Sequence, residues 1–442
     1  MLANIMKDQM EIIKTRVCVI GAGAAGLCAA RHLAQNSKQF IFQVFEKASD
    51  VGGTWVYTDK IGFENNGLPI HTSMYKNLRT NLPKEIMHFP DFQEIKGNNE
   101  SCVPHDVILD YLKNYTEHFK LREFIQFNTE VLFITPKIFT NDFLLQNWKV
   151  KVKNLISSEL KEYIFDAVMI CNGHYFDPII PHISGINNFC GQVLHSHNYR
   201  YPENYTDQTV IILGASSSGI DIAFDLSEKS SRIFLSHNMN RLLNLNDDSS
   251  KITEVVGIDK FENEKFVLKD GSTVKADILI YCTGYHYKYA FMDKNCKIKV
   301  DENYVTPLYK HLINIEHPTM CFIGIPTHVI PFPMFHMQVQ YFLSLLKGKA
   351  QLPNMSKMLD DSKLKSFKKN HAHKLGFDQW AYNDYLAKAG GFENLPAFYK
   401  LGFKIWSEHR KRNIDHYKHF NLVPSDDYEL FRIVDNQQTS SY

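Results

Sequence analysis

Two glycine-rich turns constrain this chain more than any other feature, because each lies between a strand-like apolar run and a helix-favouring stretch. The first turn follows residues 15–20 and places Gly21, Gly23 and Gly26 in the spacing G-x-G-x-x-G. In a unit of this kind the first glycine permits the turn and the second lets a pyrophosphate approach the backbone. The third allows the helix to pack closely on the strand. The order predicts a dinucleotide-binding α/β unit.

An acidic residue extends the first unit. The next apolar run, residues 40–45, ends at Glu46, about 20 residues beyond the glycines, where a carboxylate can accept both hydroxyls of a ribose. A carboxylate at this point disfavours a 2′-phosphate, so the site suits FAD or NAD rather than NADP. Gly53, Thr54 and Trp55 then offer flexible backbone beside an aromatic ring, where main chain could approach a ring system.

A second unit begins with the apolar residues 209–213 and continues into a turn with Gly214 and Gly219 at the first and last glycine places. Ser216 replaces the middle glycine and could add a hydroxyl to the phosphate cradle. The order of strand, turn and helix therefore recurs, and it predicts a second dinucleotide site.

The end of the next strand distinguishes the second site from the first. Residues 232–235 lead into Ser236 and His237 without an acidic residue, and Arg241 lies just beyond. A site that lacks the carboxylate and has a cation nearby can accept a 2′-phosphate, which favours NADPH.

A repeat later in the chain indicates how the two units are arranged. Residues 166–173 resemble residues 277–284, and each segment is expected to be the late strand that closes its own dinucleotide domain. We expect an α/β fold of two Rossmann-like domains, with the NADPH domain inserted in the FAD domain. The predicted boundaries are 1–204 and 317–442 for the FAD-binding domain and 205–316 for the NADPH-binding domain.

Composition excludes several classes of partner. The chain has 442 residues, with 49 Lys and Arg against 48 Asp and Glu, so no global field draws it to nucleic acid or to an anionic membrane. No apolar run reaches the length of a membrane span and no signal peptide is recognisable. These patterns predict a soluble protein, favour the cytoplasm and leave a secreted form and homo-oligomerisation open. The 8 Cys lack C-x-x-C or zinc spacing, which predicts buried free thiols and no metal site.

The most specific motif is F-x-G-x-x-x-H-x-x-x-Y, present as Phe189, Gly191, His195 and Tyr199. With this motif the chain resembles the flavin-containing monooxygenase family, from about residue 14 to about residue 353. The last position is Tyr rather than the Trp typical of Baeyer–Villiger relatives, which favours attack on soft heteroatoms. The motif is interpreted as coupling the two domains and placing NADPH, and not as a source of proton transfer.

Three shorter matches support the resemblance. The segment 77–85 resembles the family block T-N-x-x-K-E and supplies Thr80 and Asn81, while Thr283 and Gly284 resemble the T-G-Y block. Gln338 matches the return of the chain to the FAD domain. One departure is Asn238, which stands where the family usually has an arginine, and it makes strict NADPH selectivity depend on Arg241.

The resemblance implies a reaction. NADPH reduces FAD, O2 adds at the flavin C4a position, and the hydroperoxide passes one oxygen to a nucleophilic nitrogen or sulfur of a small molecule. The protein must keep that hydroperoxide from collapsing. Asn81, whose amide donates and accepts at once, is the predicted catalytic residue that protects it. The chain also resembles insect members of the family, some of which N-oxygenate pyrrolizidine alkaloids such as senecionine.

Two other interpretations remain open at this point. One is a Baeyer–Villiger-type monooxygenase that acts on ketones, and the other is a non-enzymatic dinucleotide-binding redox sensor. A disulfide reductase is disfavoured because no cysteine pair has redox spacing. The residues predicted to bind FAD or NADPH are Gly21, Gly23, Ala25, Gly26, Glu46, Gly53, Thr54, Trp55, Thr80, Asn81, Gly214, Ser216, Ser217, Ser218, Gly219, Ser236, His237, Arg241, Thr283, Gly284 and Gln338.

Overall fold

The structure is a computed structural model that describes residues 13–65, 67–93, 95–96, 100–137, 147–240, 243, 251–364 and 368–435. Its strands are β1 (Thr15–Ile20), β2 (Phe40–Phe45), β3 (Ile125–Gln126), β4 (Thr129–Lys137), β5 (Asn147–Asn154), β6 (Leu160–Phe165), β7 (Ala167–Ile170), β8 (Gln192–His195), β9 (Thr209–Leu213), β10 (Arg232–His237), β11 (Ile252–Val256), β12 (Ile258–Glu262), β13 (Lys265–Leu268), β14 (Thr273–Val274), β15 (Ile278–Tyr281), β16 (Lys299–Asp301), β17 (Tyr304–Thr306), β18 (Leu308–Tyr309), β19 (Ile313–Asn314), β20 (Met320–Phe322), β21 (Phe420–Pro424) and β22 (Phe431–Asp435). Its α-helices are α1 (Ala24–Gln35), α2 (Lys84–Met87), α3 (His105–His118), α4 (Ser217–Ser227), α5 (Pro331–Leu346), α6 (Met355–Asp361), α7 (Gln379–Gly390) and α8 (Ala397–Arg412).

The first sheet has seven strands in the order β18-β19-β20-β7-β1-β2-β3, of which β20, β7, β1, β2 and β3 run parallel. Side chains of β1 alternate between two cores, as a strand with both faces covered requires. Val17 and Val19 belong to the core that includes α1 and α5, whereas Cys18 and Ile20 belong to the core beneath the β4-β5-β6 sheet. The sheet is therefore buried on both sides.

The second sheet has five parallel strands in the order β11-β10-β9-β15-β8, with α4 between β9 and β10 in the chain. The predicted closing strands are confirmed, because β7 pairs in parallel with β1 and β15 pairs in parallel with β9. Two Rossmann-like units, one contained within the chain path of the other, form the α/β fold that the sequence predicted.

Sheet membership bears on where the two domains divide. Strand β8, which precedes residue 205, lies in the second sheet, and strands β18 and β19, which precede residue 317, lie in the first. The predicted boundaries at 204/205 and 316/317 therefore cut across both sheets. We propose instead that the second domain begins near β8 and ends after β15.

The two glycine turns have the same geometry. Gly21 and Gly214 adopt φ angles of +102° and +110°, which L side chains rarely adopt. A Cβ on Gly26 would lie 1.8 Å from the Gly21 oxygen, and a Cβ on Gly219 would lie 1.9 Å from the Gly214 oxygen. Each helix thus reaches its strand only because the residue at the contact has no side chain.

Each closing strand also limits the turn above it. A Cβ on Gly21 would lie 2.6 Å from the oxygen of Cys171, and a Cβ on Gly214 would lie 2.5 Å from the oxygen of Cys282.

All cysteines are free thiols, and among them only Cys190 is exposed. Within the described part of the chain, no helix is long and apolar enough to cross a membrane.

The contact at Gly26 predicts a large effect of one methyl group on stability. Gly26→Ala should lower the free energy of unfolding by about 1–3 kcal/mol or more, because the backbone of the turn must move to admit the Cβ. Gly23→Ala is the matched control, since its Cβ would meet its nearest neighbour, the Gly53 Cα, at 3.5 Å, and it should cost less than about 1 kcal/mol. Thermal and urea unfolding of the two variants, purified without added cofactor, measures the difference. Equal stability of the two would contradict the packing argument.

Candidate functional site

The first cradle lies at the start of α1, where the backbones of two glycines approach each other. Gly23 is the N-cap of α1, and no side chain caps this end of the helix. A Cβ on Gly53 would lie 3.0 Å from the Gly23 Cα, so the two backbones face each other closely. Unpaired N–H groups and the positive end of the helix dipole favour an anion at this point. The arrangement fits a pyrophosphate.

Glu46 lies at the end of β2, beside the first cradle. The side chain is buried, and its Oε2 accepts a hydrogen bond from the Ala22 N–H at 2.6 Å while Oε1 accepts one from the Ala48 N–H at 2.8 Å. A carboxylate has about four lone-pair sites, so each oxygen keeps capacity for a further donor. The backbone therefore holds Glu46 in the position predicted for a ribose partner.

The other residues predicted for this cradle differ in their burial and in their hydrogen bonds. The Thr54 hydroxyl is buried and, among the described residues, has no hydrogen-bond partner. Ala25 and Trp55 are partly buried against the first core. A buried hydroxyl without a partner is costly, and a ligand oxygen or nitrogen would satisfy it.

A cluster that the sequence did not predict lies beside Gly173, after β7. The His71 ring stacks on Phe176, with centroids 5.2 Å apart, and the Lys47 ammonium lies 5.8 Å from the centroid of the Phe176 ring. Burial lowers the pKa of His71 to about 3 and also lowers the pKa of Lys47. His71 is therefore neutral, and its buried Nδ1 has no partner within the described residues.

The second cradle lies at the start of α4. Ser216 is the N-cap, but its hydroxyl does not cap the helix, and Ser216 and Ser218 are exposed whereas Gly219 is buried. Hydroxyl groups and helix N–H groups thus share one open surface. This combination fits a second phosphate group.

The end of β10 corrects one element of the sequence analysis. The Ser236 hydroxyl donates to the Val256 oxygen at 3.0 Å inside the sheet, and the His237 Nε2 lies 2.9 Å from the Glu254 Oε2. β10 itself ends without an acidic residue, but β11 places Glu254 beside His237, because the two strands run parallel with Glu254 in register with Leu235, two residues before His237. Arg241 lies outside the described residues.

Asn81 lies where the two units meet. Its Nδ2 donates to the Ser217 Oγ at 3.3 Å, and its main-chain oxygen accepts a hydrogen bond from the Trp406 Nε1 at 3.1 Å. The Arg410 Nη2 donates to the same Ser217 Oγ at 3.0 Å. Segment 77–85 and helix α8 therefore converge on the second cradle. Sequence reasoning missed Trp406 and Arg410, whose spacing of four residues places them on one face of α8.

The remaining predicted residues have partners within the protein. The Thr80 hydroxyl accepts the Val103 N–H at 3.1 Å, and the Thr283 hydroxyl donates to the Ile179 oxygen. Gly284, with φ +89°, has open space where a Cβ would lie. Gln338 is fully buried, with Oε1 accepting from the Gly324 N–H at 2.9 Å and Nε2 donating to the Tyr382 hydroxyl at 2.8 Å.

The fingerprint residues connect the two units. The Tyr199 hydroxyl donates to the Asp225 Oδ2 on α4 at 2.6 Å, and the Tyr199 ring makes an edge contact with Tyr75 at a centroid distance of 5.5 Å. Tyr75 in turn donates to Asp221 on α4 at 3.3 Å. Burial is the main cause that lowers the pKa of His195 to about 4, so this imidazole is neutral. These contacts are consistent with the interpretation that the fingerprint couples the domains.

Comparisons with known proteins agree with this geometry. Residues 14–256 and 245–396 match the model of the family described as flavin-binding monooxygenase-like. The chain is 34% identical over 398 residues to the flavin-containing monooxygenase FMO GS-OX-like 4 of Arabidopsis thaliana, covering 85% of this chain and 87% of the relative.

Solved structures are similar over almost the whole chain. One is the S-allyl-L-cysteine S-oxygenase of Allium sativum, with a TM-score of 0.84 and 31% identity over 92% of this chain and 96% of the other. Another is Tmm of Pelagibacter sp. strain HTCC7211, with a TM-score of 0.81 and 26% identity over 93% and 94%. The resemblance to insect members stays a prediction.

These matches confirm the predicted resemblance and the predicted cofactors. The two cradles and the family agree on FAD and NADPH as cofactors and on a monooxygenase that uses O2 and a small-molecule substrate. The chain belongs to the flavin-binding monooxygenase-like family.

Proposed function

We propose that this monooxygenase transfers one oxygen atom of O2 to a soft sulfur or nitrogen atom of a small molecule, with NADPH as the reductant. The observation that carries the proposal is the position of Asn81, which hydrogen-bonds Ser217 of the second cradle. When bound, FAD supplies the activation of O2. The residues described below would bind and orient the two cofactors and shield the flavin.

FAD is assigned to the first cradle. Gly23 and Gly53 would admit its pyrophosphate to the N-terminus of α1, and Glu46 would accept its ribose hydroxyls. Thr54 has a buried hydroxyl that needs a partner. Gly21 and Gly26 act indirectly, because they fix the turn and the approach of α1 to β1.

NADPH is assigned to the second cradle. Ser216, Ser217 and Ser218 would present hydroxyls to its pyrophosphate, and Arg410 would add a positive charge beside Ser217. Glu254, in the middle of β11 and beside His237, would repel a 2′-phosphate unless cations offset it. His237 contacts that carboxylate, and Arg241 is the cation that we assign to this role.

Asn81 is assigned the role of shielding the flavin, where it would exclude water and offer hydrogen bonds beside the site of oxygen activation. Its main-chain oxygen is held by Trp406 and its side-chain nitrogen by Ser217, and we assign its side-chain oxygen to the flavin. A side-chain amide can accept a hydrogen bond through its oxygen and donate one through its nitrogen, and it does so without a change in charge. A carboxylate at this position would repel negative charge that develops during oxygen transfer.

A thioether is the substrate class that we favour. An S-oxygenase with 31% identity supports sulfur, and Tyr199 in place of Trp at the end of the fingerprint favours soft heteroatoms over ketones. Tertiary amines are the second class, and they include pyrrolizidine alkaloids such as senecionine, suggested by the resemblance to insect members.

The first experiment tests cofactor and substrate class together. The purified protein should be yellow, lose its flavin colour with NADPH under argon, and convert a thioether or a tertiary amine faster than a cyclic ketone once air is admitted. Gly23→Val is the control, because its side chain would occupy the pyrophosphate gap and leave a folded, colourless protein. Faster turnover of the ketone would favour Baeyer–Villiger chemistry. A colourless parent that consumes no oxygen would favour a redox sensor.

The NADPH assignment predicts that two arginines differ in their effect. Arg241→Ala should weaken NADPH and spare NADH, because only NADPH has a 2′-phosphate, whereas Arg410→Ala should weaken both through the shared pyrophosphate. A hydrogen bond to a charged group contributes about 1.5–3 kcal/mol, or a roughly tenfold to hundredfold rise in Kd. Rates of anaerobic flavin reduction against cofactor concentration measure both. Arg232→Ala, at the opposite end of β10, is the control, and equal loss of both cofactors in Arg241→Ala would refute the assignment.

The assignment of Asn81 predicts uncoupling. Asn81→Ala and Asn81→Asp should keep FAD and NADPH-dependent reduction while product per NADPH falls and hydrogen peroxide per NADPH rises, since reduction needs only hydride geometry. Asn77→Ala is the matched control, because Asn77 lies in the same segment and donates to Asp225 at 2.8 Å. If Asn81→Ala forms product as efficiently as the parent without extra peroxide, Asn81 is a structural residue only.

A further inference from the structure

Two histidines and one carboxylate meet inside the first domain, remote in sequence from one another. His32 lies in α1, His336 lies in α5, and Asp91 follows α2. One ligand atom from each of the three residues lies within 4.8 Å of the others. The His32 Nε2 and the His336 Nδ1 are 3.1 Å apart, and the His336 Nδ1 is 3.9 Å from the Asp91 Oδ1.

The spacing of the two imidazoles suits a single metal ion. Zn–N bonds of about 2.0–2.1 Å in a tetrahedral site place two ligand nitrogens about 3.3 Å apart, close to the separation observed here. The carboxylate is more distant, with Oδ1 3.9 Å from the His336 Nδ1, so it would move toward the ion on binding. Two imidazoles and one carboxylate form a donor set for a borderline divalent ion rather than for Mg²⁺ or Ca²⁺.

The carboxylate supplies the second observation. Neither Asp91 oxygen accepts a hydrogen bond within the described part of the chain, although both are buried. The Arg31 Nε lies 3.2 Å from Oδ2 as an ion pair without hydrogen-bond geometry, and the guanidinium is stacked 4.2 Å from the centroid of the Phe119 ring. Buried carboxylates are normally satisfied by donors or by a cation, and Oδ1, on the side of His336, has neither.

The contact between the two imidazoles favours a ligand role. The His32 Nε2 and the His336 Nδ1 face each other at 3.1 Å, and a single ion between them would accept a lone pair from each ring. Without a metal, one imidazole would donate a hydrogen bond to the other and the carboxylate would rely on Arg31 alone.

We propose that His32, Asp91 and His336 bind one divalent transition-metal ion, with Zn²⁺ as the best match, and that the ion joins α1 to α5 and to the turn after α2. The expected role is structural. Helix α1 begins at the Gly23 cradle, but His32 lies near its other end, so the ion would strengthen the packing of α1 on α5 and take no part in oxygen transfer.

The experiment begins with the parent holoenzyme. Protein treated with a chelator and then dialysed should take up one equivalent of Zn²⁺ and show a higher Tm with Zn²⁺ than with Mg²⁺. Co²⁺ should give the visible bands of a site with nitrogen and oxygen ligands, and should lack the thiolate charge-transfer absorption that binding to cysteine would produce. Failure of the parent to bind one equivalent, or a thiolate spectrum, overturns the proposal.

Variants then locate the ion. His32→Gln, His336→Gln and Asp91→Asn should each weaken Zn²⁺ binding roughly tenfold or more and abolish the rise in Tm, with flavin content retained. His182→Gln removes an exposed histidine, and Cys190→Ser removes the exposed thiol, so both should bind like the parent. Unchanged binding in Asp91→Asn and His32→Gln, or loss of binding in either control, refutes the assignment. If a variant fails to fold, the Co²⁺ spectrum of the parent decides.

Discussion

The close approach of each helix to its strand, made possible by one glycine, is the contact on which the rest of the molecule depends. A Cβ on Gly26 or on Gly219 would overlap a backbone oxygen of its own turn. Because that contact is backbone against backbone, the helix N-terminus is fixed relative to the carboxyl end of the sheet. Fixed N–H groups bind an anion without a cost of reorganisation, which is why one geometry serves both cradles.

The second requirement is that the two units are held in one orientation, and side chains from three parts of the chain contribute to it. Asn81 contacts Ser217 from the first unit, and Tyr199 contacts Asp225 from the connecting segment. The carboxyl-terminal helix α8 contributes Trp406 and Arg410. The junction thus combines an apolar contact, in which Tyr75 packs with Tyr199 in the core of the second unit, with directional hydrogen bonds. Such hydrogen bonds fix orientation more than they add stability, which suits a site where two cofactors must meet.

Sequence patterns predicted the parts of the site that are built from residues close together in the chain. The turns at Gly21 and Gly214 follow from spacing, because a strand, a tight turn and a helix leave few alternatives. Glu254, Arg410 and the pair His32 and His336 carry no local signature, since each acquires its partner through packing of elements distant in sequence. Glu254 could have been suspected once the register of β10 and β11 was known, because Glu254 pairs with Leu235 and so lies on the face of the sheet that His237 shares. Ser236 shows the opposite error, in which a residue at the expected position turns its hydroxyl into the sheet.

The carboxyl-terminal segment, which lies beyond the residues that match the family model, also positions a residue of the site. The Lys418 ammonium donates to the Arg79 oxygen at 3.0 Å and to the Asp221 Oδ2 at 2.6 Å, while the Arg79 Nη2 donates to the Lys418 oxygen at 3.0 Å. Both members of the ion pair are largely buried, and desolvation offsets much of the Coulomb attraction of such a pair. Its contribution is therefore positional. Lys418 holds the backbone two residues before Asn81 against α4, so a segment outside the dinucleotide folds fixes the residue on which oxygen transfer is proposed to depend.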